Sequence, residues 1–311
     1  NLCSEITLAT NEERTAVCCL SSVNLEYYDE WSKIPAFIPD LVRMLDNVLE
    51  YFIDHAPNQM EKAKYSAFRE RSIGLGAMGF HAYLQRNMIP FESIGASGKN
   101  HEMFKHIKED ALVETRRLAV ERGACPDDDS CEVRNAHLLA IAPNASSSII
   151  CGNTSPSIEP FRANAFTQKT KSGSFLQKNK YLEQLLAYKN ANTDNIWKDI
   201  VANKGSVQHI DVLTPEEKEV FKTAVEINQS WVVEHAAERQ QFVCQSQSVN
   251  LFFPPDVNKG ELHNVHMLAW AKNLKTLYYL RSEAISRADN VSNQVKREII
   301  FEQEDCLACE G

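Results

Sequence analysis

A thiol and a carboxylate stand two residues apart in Asn1-Leu2-Cys3-Ser4-Glu5. In an extended segment, residues i and i+2 point to the same face. Cys3 and Glu5 can then reach one substrate together, with the Asn1 amide beside them. Five residues thus supply a one-electron or nucleophilic centre, a base and a hydrogen-bonding group. The chain begins without methionine, so this site is expected to have been cut from something larger.

Other groupings have the types needed for chemistry. Pro143-Asn144-Ala145-Ser146-Ser147-Ser148 follows an apolar run. Small residues let backbone N–H groups converge and three hydroxyls can donate, so the segment reads as a phosphate cradle or as a Ser-rich turn. Tyr278-Tyr279 reads as a plain strand pair, since aromatics favour strands. Cys306-Leu307-Ala308-Cys309 lies in a polar stretch where burial does not explain it, so it is a dithiol or half of a zinc site. No second C-x-x-C exists, and His263 and His266 lie outside zinc-finger spacing, so a redox dithiol is favoured. No metal site is expected. His235 has no second His one turn away, which excludes a zinc-protease helix. Gly74-Leu75-Gly76-Ala77-Met78-Gly79 matches G-x-G-x-x-G but follows the poor strand Arg69-Glu70-Arg71-Ser72. Close backbone packing at a turn fits it better than dinucleotide binding.

These residues need a scaffold. The chain has 311 residues, is 43% hydrophobic and 24% charged, and carries a formal net charge of −9, as expected of a globular chain of one large or two smaller domains. With no basic run, polymeric nucleic acid is not an expected partner, and no apolar run is long enough for a membrane span. Nine cysteines, an odd number in a large chain, point to a reducing cytoplasm, with Cys125, Cys131, Cys151 and Cys244 as small buried hydrophobes. Residues 16–25 read as a buried strand, 39–55 as an amphipathic helix, 71–85 as a loop or strand leading into a helix, and 101–123 as a charged helix. A strand over 136–142 precedes the 143–148 loop, and 164–174 reads as irregular. Short helices follow over 181–188 and 196–201. Thr214-Pro215-Glu216-Glu217 has the form of a capping box. It should open one long helix to about Arg239, with Phe221, Ala224, Val225, Trp231 and Val232 inward. A strand over 249–253, a helix over 264–273 and a strand over 276–280 complete an α/β alternation with parallel strands. From about Ala284 the chain turns polar and reads as a mobile tail.

Taken together, these features resemble the large subunit of class I ribonucleotide reductase, in wording most like bacterial and tailed-phage members. The resemblance rests on Asn1-Leu2-Cys3-Ser4-Glu5-Ile6, Val17-Cys18-Cys19-Leu20-Ser21-Ser22-Val23-Asn24-Leu25, Arg71-Ser72-Ile73-Gly74-Leu75-Gly76, Pro143 to Ser148, Ser155-Pro156-Ser157-Ile158-Glu159-Pro160, Leu277-Tyr278-Tyr279 and the terminal C-x-x-C. These occur in the family's order over the whole chain. The resemblance implies reduction of ribonucleoside diphosphates to deoxyribonucleoside diphosphates for DNA precursor synthesis. Cys3 would hold a thiyl radical that abstracts the 3′ hydrogen, Glu5 would take the 3′-hydroxyl proton, and Asn1 would bind the substrate hydroxyls. Cys18, chosen over Cys19 from the family pattern, would be one of two reducing thiols. Asn144, Ala145, Ser146 and Ser147 would cradle the substrate diphosphate. Tyr278 and Tyr279 would relay the radical from a metal-containing small subunit. Cys306 and Cys309 would recharge the site from thioredoxin or glutaredoxin.

The implied fold is a ten-stranded α/β barrel of two five-stranded parallel halves with a central finger loop. Residues 1–283 would supply the second half, with the finger loop at 1–20, and 284–311 a redox tail. The second active-site Cys and the sites for ATP, dATP and dNTP effectors would lie upstream. No cofactor is expected within this chain, and its other partner would be an N-terminal half if the gene is split. The location would be cytoplasmic, in a host's cytoplasm if phage-encoded. Two rivals from other classes are a binding module whose C-x-x-C joins a zinc site and a stand-alone thiol oxidoreductase.

Overall fold

The computed structural model of the chain describes residues 2–170 and 173–282. The expected tail, with Cys306 and Cys309, and the expected hydroxyl-binding Asn1 lie outside the described residues. Five segments run parallel, side by side, in chain order. β1 (Leu20–Asn24) pairs with β2 (Gly74–Met78), with Leu20 opposite Gly74. Residues 138–141 continue the array through a Leu75–Leu139 pairing and meet residues 245–248 through Ile141–Gln247. The latter run leads into β5 (Leu251–Phe253), which pairs with β6 (Leu280–Ser282). Backbone bonds Leu75 N–H to Leu138 O and Ser248 N–H to Ile141 O carry the middle of the array. This is half of an α/β barrel.

Parallel neighbours require crossovers. The first contains α1 (Tyr28–Trp31), α2 (Phe37–His55) and α3 (Glu61–Glu70). α2 forms as the sequence requires: Ile38, Val42, Leu45 and Leu49 recur at helical spacing and are buried, and Pro57 follows its end. The second contains α4 (Phe80–Arg86) and α5 (Ile94–Arg122). α5 starts well before His101 because the Ser93 hydroxyl caps it, accepting from the Ala96 N–H. Gly123, at φ +89°, ends it.

The third crossover is the longest and builds a second apolar cluster, which includes Leu182, Leu186, Trp197, Ile200 and Phe221. It opens with α6 (Ala145–Ile150). The stretch 164–174, expected to be irregular, instead contributes β3 (Ala165–Thr170) and the start of β4 (Gly173–Lys178), which pair antiparallel. Phe166 and Phe175 are exposed, so no buried-face alternation marks it. α7 (Lys180–Tyr188) and α8 (Asp194–Ala202) follow as expected.

The Thr214 capping box is present: Glu217 N–H donates to Thr214 Oγ1 at 3.3 Å and Thr214 N–H to Glu217 Oε2 at 2.8 Å. The single long helix is not. α9 (Pro215–Val220) stops, and α10 (Gln229–Gln240) restarts under a new cap, Asn228. Between them Thr223 bonds locally to Glu226, and the Ala224 N–H donates to Phe161 O across the fold. These bonds outcompete helical propensity, and Val225, expected inward, is exposed. α11 (Lys259–Ala271) then packs on α10 before β6.

Candidate active site

Residues 2–19 contain no helix or strand and reach the sheet at its fourth strand. The Ser246 N–H donates to Glu5 O at 2.8 Å, Ser248 Oγ to Cys3 O at 2.6 Å, and Thr276 Oγ1 to Ser4 O at 3.0 Å. Cys3 and Glu5 are both buried, but not through the extended geometry expected from their spacing. Ser4 has φ +65°, so the segment turns between them. Convergence comes from Ser248, which also bonds Glu5 Oε2 at 3.3 Å. Burial raises the Glu5 carboxyl above its usual range; bonds from its own backbone and from Ser248 only partly oppose this.

Cys18 and Cys19 diverge. The Cys19 thiol lies against Leu45 O of α2 at 3.6 Å. Cys18 has an open side. On its other side lost hydration, then the negative field of Glu5 and the neighbouring Cys19 and Cys3, push its thiol up to about 12. Cys18 is therefore the one of the pair within electrostatic reach of both Glu5 and Cys3.

The Pro143–Ser148 segment is not a simple loop. Asn144 adopts φ +41° and α6 begins directly after it. Ser22 Oγ of β1 donates to Asn144 Oδ1 at 3.0 Å, tying this turn to the strand that follows Cys18. The N–H groups of Ala145, Ser146 and Ser147 form the first turn of α6, where no intrahelical acceptor is available.

Tyr278 and Tyr279 lie at the edge of the array. Tyr278 Oη donates to Cys3 Sγ at 3.5 Å, and the two rings lie 3.9 Å apart at 32°. Loss of hydration, then the bonds to Tyr279 and Cys3, push the Tyr278 phenol upward. The structure thus brings Cys3, Glu5, Cys18, Tyr278 and Tyr279 together.

Sequence reasoning expected the apolar part of the fourth strand, over 249–253, and missed the polar stretch that precedes it. Ser246, Ser248 and Asn250 are buried polar residues at alternate positions, and the first two hold the Cys3 segment. The signal was a strand-length polar run, Gln245 to Asn250, leading directly into an apolar one. Glu159, which carried no role beyond its motif, is buried against Asn250.

The glycine motif does pack closely, but within a strand. A β-carbon at Gly76 would come 2.5 Å from Ala140 O, and one at Gly74 would overlap Leu20; only Gly79, at φ +82°, needs a turn conformation. Of the four cysteines expected to be buried, Cys125 is, while Cys131 and Cys151 are exposed. Cys244 is half-buried and accepts from the Leu138 and Leu139 N–H groups at 3.1 and 3.2 Å. Burial would raise its thiol, but bonds from His137, Leu139 and Leu138 outweigh this and bring it to about 6. His235 bonds Phe91 O, and burial lowers it to about 4. Among the described residues, no three His, Cys, Asp or Glu side chains gather as a metal-binding group, and no helix is long and apolar enough to cross a membrane.

A parallel half-barrel with a thiol segment bound to its polar inner strand defines the class: a barrel domain built around a buried thiol. The family model for the ribonucleotide reductase barrel domain matches residues 1–131 and 128–280, and the chain belongs to that family. It is 52% identical over 94% of its length to the ribonucleoside-diphosphate reductase large subunit of Invertebrate iridescent virus 6, covering 31% of that protein. It is 48% identical over its whole length to the large subunit of Invertebrate iridescent virus 3, covering 50% of it. Among solved structures, the Actinobacillus ureae class Id ribonucleotide reductase alpha subunit superposes with a TM-score of 0.85 at 40% identity, covering 91% of this chain and 52% of that one. The chain therefore spans about half the length of these relatives, or less.

Proposed function

We propose that this chain is the C-terminal catalytic portion of a ribonucleoside-diphosphate reductase large subunit. It acts with an N-terminal portion that supplies the second reducing cysteine and the nucleotide-effector sites, and with a small subunit whose metal centre supplies the radical. Cys3 as a thiyl radical abstracts the 3′ hydrogen of the ribose, and Glu5 takes the 3′-hydroxyl proton. The 2′ hydroxyl then leaves as water, while Cys18 and the second thiol deliver two electrons and two protons and end as a disulfide. Cys3 returns its hydrogen to the 3′ carbon, regenerating the thiyl radical, and Glu5 returns the hydroxyl proton. Thiol exchange with Cys306 and Cys309, recharged by thioredoxin or glutaredoxin in the cytoplasm, restores the dithiol.

One observation carries this reading: Tyr278 Oη lies 3.5 Å from Cys3 Sγ with the Tyr279 ring stacked behind it. A hydrogen atom on Cys3 can pass to Tyr278 and an electron onward to Tyr279 without a large gap. The raised Glu5 carboxyl suits a base working near neutral pH. The high-titrating Cys18 keeps its proton until the departing hydroxyl needs it. The small-residue turn at Asn144 to Ser147 offers backbone N–H groups to a diphosphate.

The test is Tyr278→Phe in the complete large subunit with its small subunit. Only an O–H is lost, so folding and nucleotide affinity should be unchanged while turnover falls at least about a hundredfold. Turnover within a few-fold of wild type would refute the relay and this reading with it.

A further inference from the structure

The outer tyrosine is held by a cluster that the reaction described above does not use. Glu159, just before Pro160, is buried, and its Oε1 accepts from Asn250 Nδ2 at 2.5 Å. Asn250 Oδ1 in turn accepts from the Tyr279 N–H at 3.0 Å. Asn250, itself buried, therefore has its amide orientation fixed from both ends. The Arg281 guanidinium lies 4.8 Å over the Tyr279 ring, within cation–π range.

The cluster is not saturated. Glu159 Oε2 and Arg281 Nε are buried without hydrogen-bond partners. Burial lifts the Glu159 carboxyl to about 7 against the lowering influence of Arg162, Asn250 and Arg281. A buried carboxylate with a free oxygen is costly where only packing is needed, so a role beyond packing is indicated. On the reductase reading above, we propose that Glu159 and Asn250 are positioning residues for the radical relay, fixing Tyr279 in its stack on Tyr278 while Arg281 lies over the Tyr279 ring.

The physical reason is distance. Tyr279 is 42% exposed, and stacking alone does not hold an exposed ring against solvent. The Asn250 bond fixes its backbone, and the Glu159 bond fixes Asn250. Without Glu159, Asn250 can rotate, and the ring is free to leave the 3.9 Å stack.

The test uses the complete large subunit with its small subunit. Glu159→Ala and Asn250→Ala should each lower kcat at least about tenfold with KM for the nucleoside diphosphate unchanged. Glu159→Gln keeps an acceptor for Asn250 and should restore kcat to within about threefold of wild type. With 3-aminotyrosine in place of Tyr279, the trapped radical reports its ring angle through the splitting from its methylene protons. That splitting should change or broaden with Glu159→Ala and return with Glu159→Gln. Wild-type kcat in both alanine variants, or a glutamine variant as impaired as the alanine one, overturns the proposal. If Glu159→Ala does not fold, Asn250→Asp keeps the acceptor for Tyr279 and removes the donor to Glu159. It should show the same loss, and full kcat there also overturns the proposal. Tyr279→Phe separates the levels: if it is inactive while the alanine variants are normal, only the positioning role fails. If it is active, the relay reading itself fails.

Discussion

Two buried carboxylates, Asp46 and Glu159, sit on opposite sides of one logic. Asp46, on α2, has both oxygens engaged. Arg71 Nε and Nη2 reach Oδ1 at 3.2 and 3.0 Å, Asn135 Nδ2 reaches it at 3.2 Å, and Arg122 Nη1 reaches Oδ2 at 2.9 Å. Arg71 is nearly as buried, and Arg134 adds a third cation at 3.4 Å. Glu159 has one oxygen bonded to a neutral amide and the other free. The Asp46 cluster fastens the first and second crossovers together. The unsaturated one lies beside the paired tyrosines. The carboxylate surrounded by cations has both oxygens bonded, and the one held by a neutral amide does not.

The largest effect should separate the two directly. Asp46→Ala strands the buried Arg71 charge and should cost about 3–5 kcal/mol of stability in urea unfolding. Glu159→Gln keeps its one bond and should cost less than about 1 kcal/mol at pH 7. Equal costs would erase the distinction.

A second effect is the pH dependence. The Glu159 carboxyl is raised from 4.5 to about 7 in the folded chain, so between these values the folded state binds more protons than the unfolded one. Its contribution is full below pH 4.5 and is lost as pH rises through 7, amounting to about 3 kcal/mol at most. Glu159→Gln should therefore flatten the stability profile from pH 4.5 to 7, measured as the difference from wild type. A wild-type profile with no fall in that window, or a fall that survives the substitution, would show that Glu159 is not the titrating group.

The smallest effect concerns Ser248, which serves both structure and site. Ser248→Ala removes the donor to Cys3 O and Glu5 Oε2 and should cost about 1 kcal/mol. Because that bond lowers the Glu5 carboxyl, its loss should raise the Glu5 titration midpoint further, visible by carboxyl NMR. A falling midpoint would mean that solvent enters when the hydroxyl leaves.

Much of this was legible in the sequence, and the exceptions have physical causes. α2 and the Thr214 cap were readable because their signals are local: apolar spacing in one case, paired side-chain and backbone bonds in the other. The break after Val220 was not, because its decisive bond runs from Ala224 to Phe161. The first half of the fourth strand, residues 245–248, was hidden by its own polarity. Ser246, Ser248 and Asn250 are buried because they bind other chain segments, and that need is invisible in a local window. Motif resemblance pointed to Cys3, Glu5, Cys18 and the tyrosines, which the fold does bring together. It included Glu159 in a motif but gave it no role, because its partner Asn250 lies at a sequence separation of 91 residues.

The bonds that seat Cys3 also bear on the order of folding. Neighbouring strands of the array are joined by successive crossovers, so each pairing closes a comparatively short loop. The Ser248–Cys3 bond spans 245 residues, and Tyr278 reaches the same thiol across 275. Contacts of such separation form late, after the nearer pairings have shortened the effective loop. The thiol therefore receives its tyrosine partner only when the fifth strand is docked, and a half-folded chain holds Cys3 apart from anything that could oxidise it productively.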